Sequence, residues 1–139
     1  MERIFVDTGA WVALANSGDE DHEDVRAATS GWEGRLVTTN LVVGETVTLA
    51  LYRFGHAAAK KLGERLYSGG IAAVVRIELQ DERSAWELFC DRDDKEYSFV
   101  DCSSFVVMRR LKLDKAVATD DDFAQEGFNV IPVRAKSKR

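Results

Sequence analysis

Glu45 stands at an awkward place for a carboxylate. Leu41, Val42, Leu49 and Tyr52 lie within two helical turns of it, so a helix here puts a negative charge inside an apolar stripe. A lone buried charge costs several kcal/mol, and such a group requires a cation, an arginine partner or a raised pKa. Asp101 poses a similar question, with Phe99, Val100, Phe105 and Met108 around it. Asp7 follows the apolar run Ile4-Phe5-Val6, and Asp120-Asp121-Asp122 follow Lys115 to Ala118. Each has a structural explanation by itself: Asp7 as a helix cap, Asp101 as an acid complementing a helix dipole, the Asp120 run as the start of a short helix. The remaining acids, such as Asp19, Glu20, Asp21, Glu23 and Asp24, or Asp91, Asp93 and Asp94, form charge runs that belong on a solvated face or loop.

Gathered at one place, the exceptions acquire a chemistry. Convergent carboxylates repel one another unless ions neutralise them. Ligation by oxygen alone, without histidine or cysteine, selects hard cations, magnesium or manganese, which retain waters and favour phosphate oxygens. Hydrolysis of a phosphodiester is the natural reaction for such a site.

The elements that must position these acids alternate along the chain. Arg3 to Val6 reads as a strand ending at Asp7, with Thr8 placed to cap a helix through Trp11, Val12, Leu14 and Ala15. After the turn Asn16-Ser17-Gly18 comes a polar helix, about Asp19 to Ser30, closed over the core by Trp32. Leu36 to Thr39 is a second strand, and Asn40 caps an apolar helix from Leu41 to about Phe54 that Gly55 ends. A helix His56 to Tyr67 follows. Gly69-Gly70 then turns the chain into a β-branched strand, Ile71 to Ile77, of the kind buried on both faces. Asp81 to about Cys90 is an amphipathic helix with Trp86 and Phe89 facing inward, and Ser98 opens another running to Leu111. Lys115 to Ala118 is a fourth strand, followed by an acidic turn with Phe123 and a last strand, Phe128 to Val133, whose Pro132 suits an edge.

Strands alternating with helices need right-handed crossovers, so the expected fold is a single α/β domain, residues 1–133, around a mostly parallel sheet flanked by helices. Residues 134–139 form a basic tail, expected to be mobile. Ligands of such sheets gather at the carboxyl ends of the strands, where Asp7 and Asp120 to Asp122 stand.

Composition narrows the class further. With 45% hydrophobic and 31% charged residues and a single proline, the 139-residue chain has an ordinary globular make-up and excludes disordered or collagen-like classes. A net charge of -5 argues against holding nucleic acid by diffuse basic charge, so any such partner must be met locally. Cys90 and Cys102 lack a metal-spaced second pair and read as reduced thiols. Arg3, followed at once by Ile4-Phe5-Val6, leaves no room for the apolar stretch of a signal peptide, and Glu45 cuts the run from Leu41 to Leu51. A soluble, cytoplasmic protein without a membrane segment is the expectation.

Four motifs carry a resemblance. Ile4-Phe5-Val6-Asp7-Thr8-Gly9-Ala10-Trp11 resembles the opening of PIN domain ribonucleases, especially the VapC-type toxins of toxin-antitoxin pairs. Asn40-Leu41-Val42-Val43-Gly44-Glu45-Thr46, Ser98-Phe99-Val100-Asp101-Cys102-Ser103-Ser104, and Ala118-Thr119-Asp120-Asp121-Asp122-Phe123 with Gly127-Phe128 agree in the family's order, so the likeness spans Ile4 to Val133.

The resemblance implies a PIN-like nuclease domain that cleaves RNA with Mg2+ or Mn2+. It implies catalytic, metal-holding acids at Asp7, Glu45, Asp101 and Asp120, with Asp122 as an auxiliary ligand and Thr8 orienting a carboxylate or a water. It further implies a homodimer and a small antitoxin that covers the site. The implied mechanism is in-line attack of an activated water on phosphorus, with no covalent protein intermediate. Spacing to Phe123 and Gly127 favours Asp120 as the fourth acid, but Ala118 stands where the family often has Ser or Thr, so Asp122 remains open for that role. Gly9 stands where many toxin members have a small polar residue.

RNA phosphates have local candidates in Arg53, His56 and Lys60, which fall at i, i+3 and i+7 across Gly55. Arg109, Arg110 and Lys112, and the tail residues Arg134, Lys136, Lys138 and Arg139, are further cations, each also explicable as a solvated surface. Trp11, Trp32 and Trp86 at helical spacing read as core rather than base-stacking platforms, and His22 and His56 as surface histidines. Ser68-Gly69-Gly70 lacks a following lysine and reads as a turn, not a phosphate loop. Two other classes compete: a PIN-like scaffold that binds RNA or protein without cutting, and a phospho-receiver. The receiver needs a tight acidic pair after the first strand, where this chain has Asp7-Thr8.

Overall fold

Five strands, β1 (Ile4–Val6), β2 (Leu36–Thr39), β3 (Ala73–Val75), β4 (Lys115–Val117) and β5 (Asn129–Ile131), form one sheet in the order β3-β2-β1-β4-β5. All four pairings are parallel, with Phe5 in register with Val37 on one side and Ala116 on the other. The structure is a computed structural model and describes residues 2–131. Between strands run α1 (Thr8–Ala15), α2 (His22–Thr29), α3 (Asn40–Phe54), α4 (His56–Tyr67), α5 (Leu79–Asp91), α6 (Phe99–Arg110) and α7 (Asp122–Gln125).

This order contains a switch point. From β1 the chain builds outward to β2 and β3, then returns to the other side of β1 to lay down β4 and β5. Connections leaving adjacent strands β1 and β4 diverge, and a crevice opens at their carboxyl ends, where α/β sheets bind ligands. Asp7 ends β1 and Asp120 lies just past β4, so the topology alone brings these two acids to the rim of that crevice.

The wholly apolar β1 forms the centre, flanked by buried residues of β2 and β4. Ile4, Phe5, Val6, Val37, Ala116 and Val117 are buried, as a strand covered on both faces requires. Behind the crevice, Phe105 meets Phe123 edge-on at 4.8 Å and Tyr97 at 4.9 Å, each contact worth about 0.5–1.5 kcal/mol beyond its buried area. This cluster anchors the short α7 and α6, two of the elements that present acids.

Several local expectations are corrected. The third strand is only Ala73–Val75 and lies at the sheet edge with Ala73 exposed, because no strand pairs with its far side; it is not buried on both faces. In α5 the inward stripe is Asp81, Ala85 and Leu88, so Trp86 and Phe89, expected inside, are 57% and 41% exposed and stack on each other at 5.8 Å. The rotation follows from Asp81, whose carboxylate takes two 2.8 Å bonds from Arg110 of α6. Thr39, not Asn40, caps α3 by accepting the Val42 N–H, while Asn40 Oδ1 accepts from Ile77 N–H at 2.8 Å. Asp7 rather than Thr8 is the cap residue of α1, and α2 begins at His22, after a turn in which Asp19 Oδ1 takes the Asp21 N–H.

His22 is no surface residue either: its Nδ1 lies 2.8 Å from the Ala13 carbonyl, and its side chain is mostly buried. Trp11 is core as expected and donates to Thr38 Oγ1 at 3.3 Å. Both cysteines are free, Cys90 exposed and Cys102 buried. Among the described residues no helix is long and apolar enough to cross a membrane. Pro132 and the basic tail lie outside the described residues.

Candidate metal-binding active site

Asp7 is placed by its backbone bonds. Its N–H donates to the Val117 carbonyl at 3.0 Å, tying the end of β1 to β4, and its own carbonyl accepts from Ala10 and Trp11 to start α1. The carboxylate does not cap the helix. Asp7 is 5% exposed, and its Oδ1 has no hydrogen-bond partner.

Glu45 arrives from the neighbouring strand. The Thr39 cap fixes where α3 begins, at the carboxyl end of β2, and Glu45 follows half-buried in the second turn. Thr8 Oγ1 donates to Glu45 Oε1 at 2.6 Å, joining α1 to α3. The apolar stripe expected around Glu45 is only partly present: Val42 is buried, but Tyr52 is 79% exposed. Glu45 is therefore explained by its place beside Thr8 rather than by deep burial.

Asp101 plays both roles that its position allows. With Ser98 it makes a reciprocal cap, Ser98 N–H to Asp101 Oδ2 at 2.9 Å and Asp101 N–H to Ser98 Oγ at 3.0 Å. The cap occupies one side of the carboxylate and fixes its rotamer at the mouth of the crevice. On the far side, Asp120 Oδ1 accepts the Asp122 N–H at 3.0 Å, a turn that starts α7.

These acids act on one another. Burial first, then the charges of Asp101, Asp120 and Glu45, push Asp7 well above the usual carboxylate range, against one opposing bond from the Thr8 N–H. Asp101 is raised by burial and by Asp120 and Glu45, although its bonds with Ser98 pull the other way. Asp122 is pushed up to about 7 by burial, by Asp120 and Asp101, and by a hydrogen bond shared with Asp101. Such mutual repulsion is what a cation relieves. Among the described residues no three His, Cys, Asp or Glu side chains yet close on a single point as finished metal ligands. The donor set nevertheless fits a hard ion, because the unpartnered Asp7 Oδ1 is buried beneath the other carboxylates.

The structure thus brings together Asp7, Glu45, Asp101, Asp120, Asp122 and Thr8. It leaves Arg53, His56 and Lys60 outside this group, exposed at the α3–α4 junction. Arg53 is two helical turns beyond Glu45, about 12 Å of helix rise away. A separate cavity of about 420 Å³, lined by Trp11, Leu14, Arg26, Leu62 and Arg65 among others, contains none of the acids.

Two features escape a reading of the residues alone. Gly9, one departure from the family pattern, and Thr119, which follows the other at Ala118, are neighbours in space: a Cβ at position 9 would overlap Thr119 Oγ1. Glycine there admits a threonine beside Asp120. The other is Glu126, whose buried carboxylate bonds Arg92 and Arg109. An acid before a turn glycine looks solvated, and both arginines are too distant in sequence to signal the pairing.

The comparisons with known proteins agree with this geometry. The PIN domain family matches residues 4–129. The 23S rRNA-specific endonuclease VapC20 of Mycobacterium tuberculosis is 41% identical over 128 residues, covering 90% of this chain and 95% of the relative. A VapC ribonuclease of Archaeoglobus fulgidus is 33% identical over 126 residues, 86% of this chain and 78% of that protein. The crystal structure of the Mycobacterium tuberculosis VapC20, described as a Sarcin-Ricin loop cleaving toxin, superposes with a TM-score of 0.85 at 38% identity, covering 90% of this chain and 95% of that one. Motif order, parallel topology and overall similarity converge, and the chain belongs to the PIN domain family, among its VapC ribonucleases.

Proposed function

We propose that the protein is a divalent-metal-dependent endoribonuclease, the toxin of a toxin-antitoxin pair, in which Asp7, Glu45, Asp101 and Asp120 hold Mg2+ or Mn2+ and Asp122 is an auxiliary ligand. The observation that carries this reading is the buried, unpartnered Oδ1 of Asp7 amid three further acids. A carboxylate in that position demands positive charge, and a phosphodiester supplies the oxygens that complete such a coordination shell.

A bound ion of this kind supplies positive charge at the scissile phosphate and acidifies an attacking water. The chain's own contribution is placement. Thr8 holds one oxygen of Glu45, Ser98 fixes the rotamer of Asp101, and the β1–β4 pairing sets Asp7 against the Asp120 turn. The reaction read here is in-line attack of water on phosphorus, without a covalent protein intermediate.

RNA is the substrate, and the likeness to a 23S rRNA-specific endonuclease makes ribosomal RNA the first target to try. Arg53, His56 and Lys60 are the local cations for flanking phosphates. A homodimer is supported by the exposed Leu79, Trp86 and Phe89 on α5. The antitoxin partner brings an arginine or lysine to the acids, where a guanidinium satisfies two carboxylates at once and competes with metal. The work of such a pair belongs in the cytoplasm, where ribosomal RNA is.

Purified protein is incubated with 23S rRNA and with a hairpin of the sarcin-ricin loop, with manganese and with chelator. Cleavage that requires manganese and disappears in Asp7→Asn is the expected result. Equal cleavage by Asp7→Asn, or cleavage unaffected by chelator, overturns the assignment.

A further inference from the structure

We infer that Glu126 is a positioning residue for the acid cluster: by binding Arg92 and Arg109 together, it clamps the turn that carries Asp120 and Asp122 against the segment that carries Asp101. The inference rests on the metal-site reading above and deepens it.

Glu126 follows a four-residue helix at the protein surface, yet its side chain is only 4% exposed. Arg92 grips it with both prongs, Nε to Oε1 at 3.0 Å and Nη2 to Oε2 at 2.8 Å. Arg109 adds a 3.1 Å bond to Oε2 and a 2.9 Å bond to the Glu126 carbonyl, with its guanidinium over the Phe128 ring at 5.0 Å. The buried hydroxyl of Tyr97 lies near the same carboxylate without a hydrogen bond to it. Charge-assisted, bidentate contacts of this kind fix geometry as well as adding energy.

Its connections run to both acid-bearing segments. Toward one, Glu126 N–H donates to the Asp122 carbonyl at 3.1 Å and Gln125 N–H to the Asp121 carbonyl at 2.9 Å, so the turn from Asp120 to Glu126 is continuously bonded. Toward the other, Arg92 closes the C-terminus of α5, and Tyr97 directly precedes Ser98, the residue that caps α6 and fixes Asp101.

The molecule carries its own control. Asp81 and Arg110 form a carboxylate–arginine pair between α5 and α6, at the same end of α6 as Arg109, but its acid lies in α5 and not in the turn that carries Asp120 and Asp122. If buried ion pairs here served stability alone, the two would be interchangeable in effect.

Manganese binding to wild type, Glu126→Gln, Tyr97→Phe and Asp81→Asn is measured by titration calorimetry, with Tm recorded in chelator. Glu126→Gln is expected to weaken manganese binding about tenfold or more, the usual scale for groups that orient metal ligands. Tyr97→Phe produces a smaller loss, and Asp81→Asn lowers Tm while binding manganese within about twofold of wild type. Should Glu126→Gln fail to fold, Tyr97→Phe and Arg92→Gln are judged against Asp81→Asn by the same criterion. Unaltered affinity in the clamp variants, or equal weakening in Asp81→Asn, overturns the inference. Wild-type protein that takes up no manganese overturns the metal-site reading and the inference with it, whereas normal wild-type binding with unchanged clamp variants overturns the inference alone.

Discussion

The hydroxyl of Thr8 donates to Glu45 Oε1 across 2.6 Å, linking the first residue of α1 to the second turn of α3. A short bond to a carboxylate in a half-buried place restricts its rotamers and leaves the other oxygen for a ligand. Thr8→Val, nearly isosteric, is expected to reduce RNA cleavage about tenfold to a hundredfold and to raise the manganese concentration for half-maximal activity. Thr8→Ser, which keeps the donor, stays within a few fold of wild type. Full activity in Thr8→Val would remove Thr8 from the machinery.

Asp101→Asn is expected to be folded, inactive and no less heat-stable than wild type in chelator. The amide oxygen still accepts the Ser98 N–H, so the cap survives, while a charge repelled by Asp120 and Glu45 is gone. The sign follows from linkage: a raised carboxylate pKa means that ionisation near neutrality weakens the folded state, and neutralising the group relieves it. Melting with and without manganese checks this, since only wild type should gain stability from the ion.

Asp120 and Asp122 separate in the same assay. Asp120 accepts the N–H that starts α7, and Asp122 stands half-buried beside Asp120 and Asp101, which raise its carboxyl. Asp120→Asn is expected to abolish cleavage, and Asp122→Asn to lower it partially. The reverse order of damage would shift the fourth ligand by two residues.

Gly9 and Thr119 are expected to couple. Gly9→Ala forces the Thr119 hydroxyl aside and lowers activity, whereas Gly9→Ala combined with Thr119→Ala loses less than the sum of the two single effects. Strict additivity would mean that the side chain turns away at no cost.

Acid sensitivity should be visible at Asp81. Burial alone raises this carboxyl, but the bonds from Arg110 and from the Glu78 N–H hold it below the usual range, so it stabilises the fold above its unfolded pKa. That contribution is lost as pH falls through the lower folded value. At neutral pH Asp81→Asn is expected to cost about 2 kcal/mol, less than a fully buried pair because Arg110 is partly solvated. The Tm gap between variant and wild type should narrow below about pH 4, where the unfolded-state Asp begins to protonate. A gap independent of pH would deny the pair its role.

What was legible in the residues was local or periodic. Asp7 and Asp120 announce themselves by following apolar strands, and the strand–helix alternation already implies a parallel sheet. What stayed hidden depends on partners remote in the chain. Trp86 and Phe89 look like core on a helical wheel, and only the reach of Arg110 to Asp81 turns them outward. The β-branched run ending at Ile77 resembles a central strand because residue types do not encode which strands pair with it. Glu126 was invisible for the same reason: nothing near it in sequence identifies Arg92 and Arg109 as its partners.

The sheet order also governs when the acid cluster can assemble. β1 and β4 sit side by side although nearly the whole chain separates them, and loop closure on that scale is slow. Until β4 docks, the first strand has one open edge, and Asp7 and Glu45 stand without their opposing acids. A chain interrupted before β4, by incomplete synthesis or by proteolysis, thus lacks Asp120 and Asp122 and cannot complete the acid cluster. The acid cluster is completed late, by one step of topology, after most of the chain has been laid down.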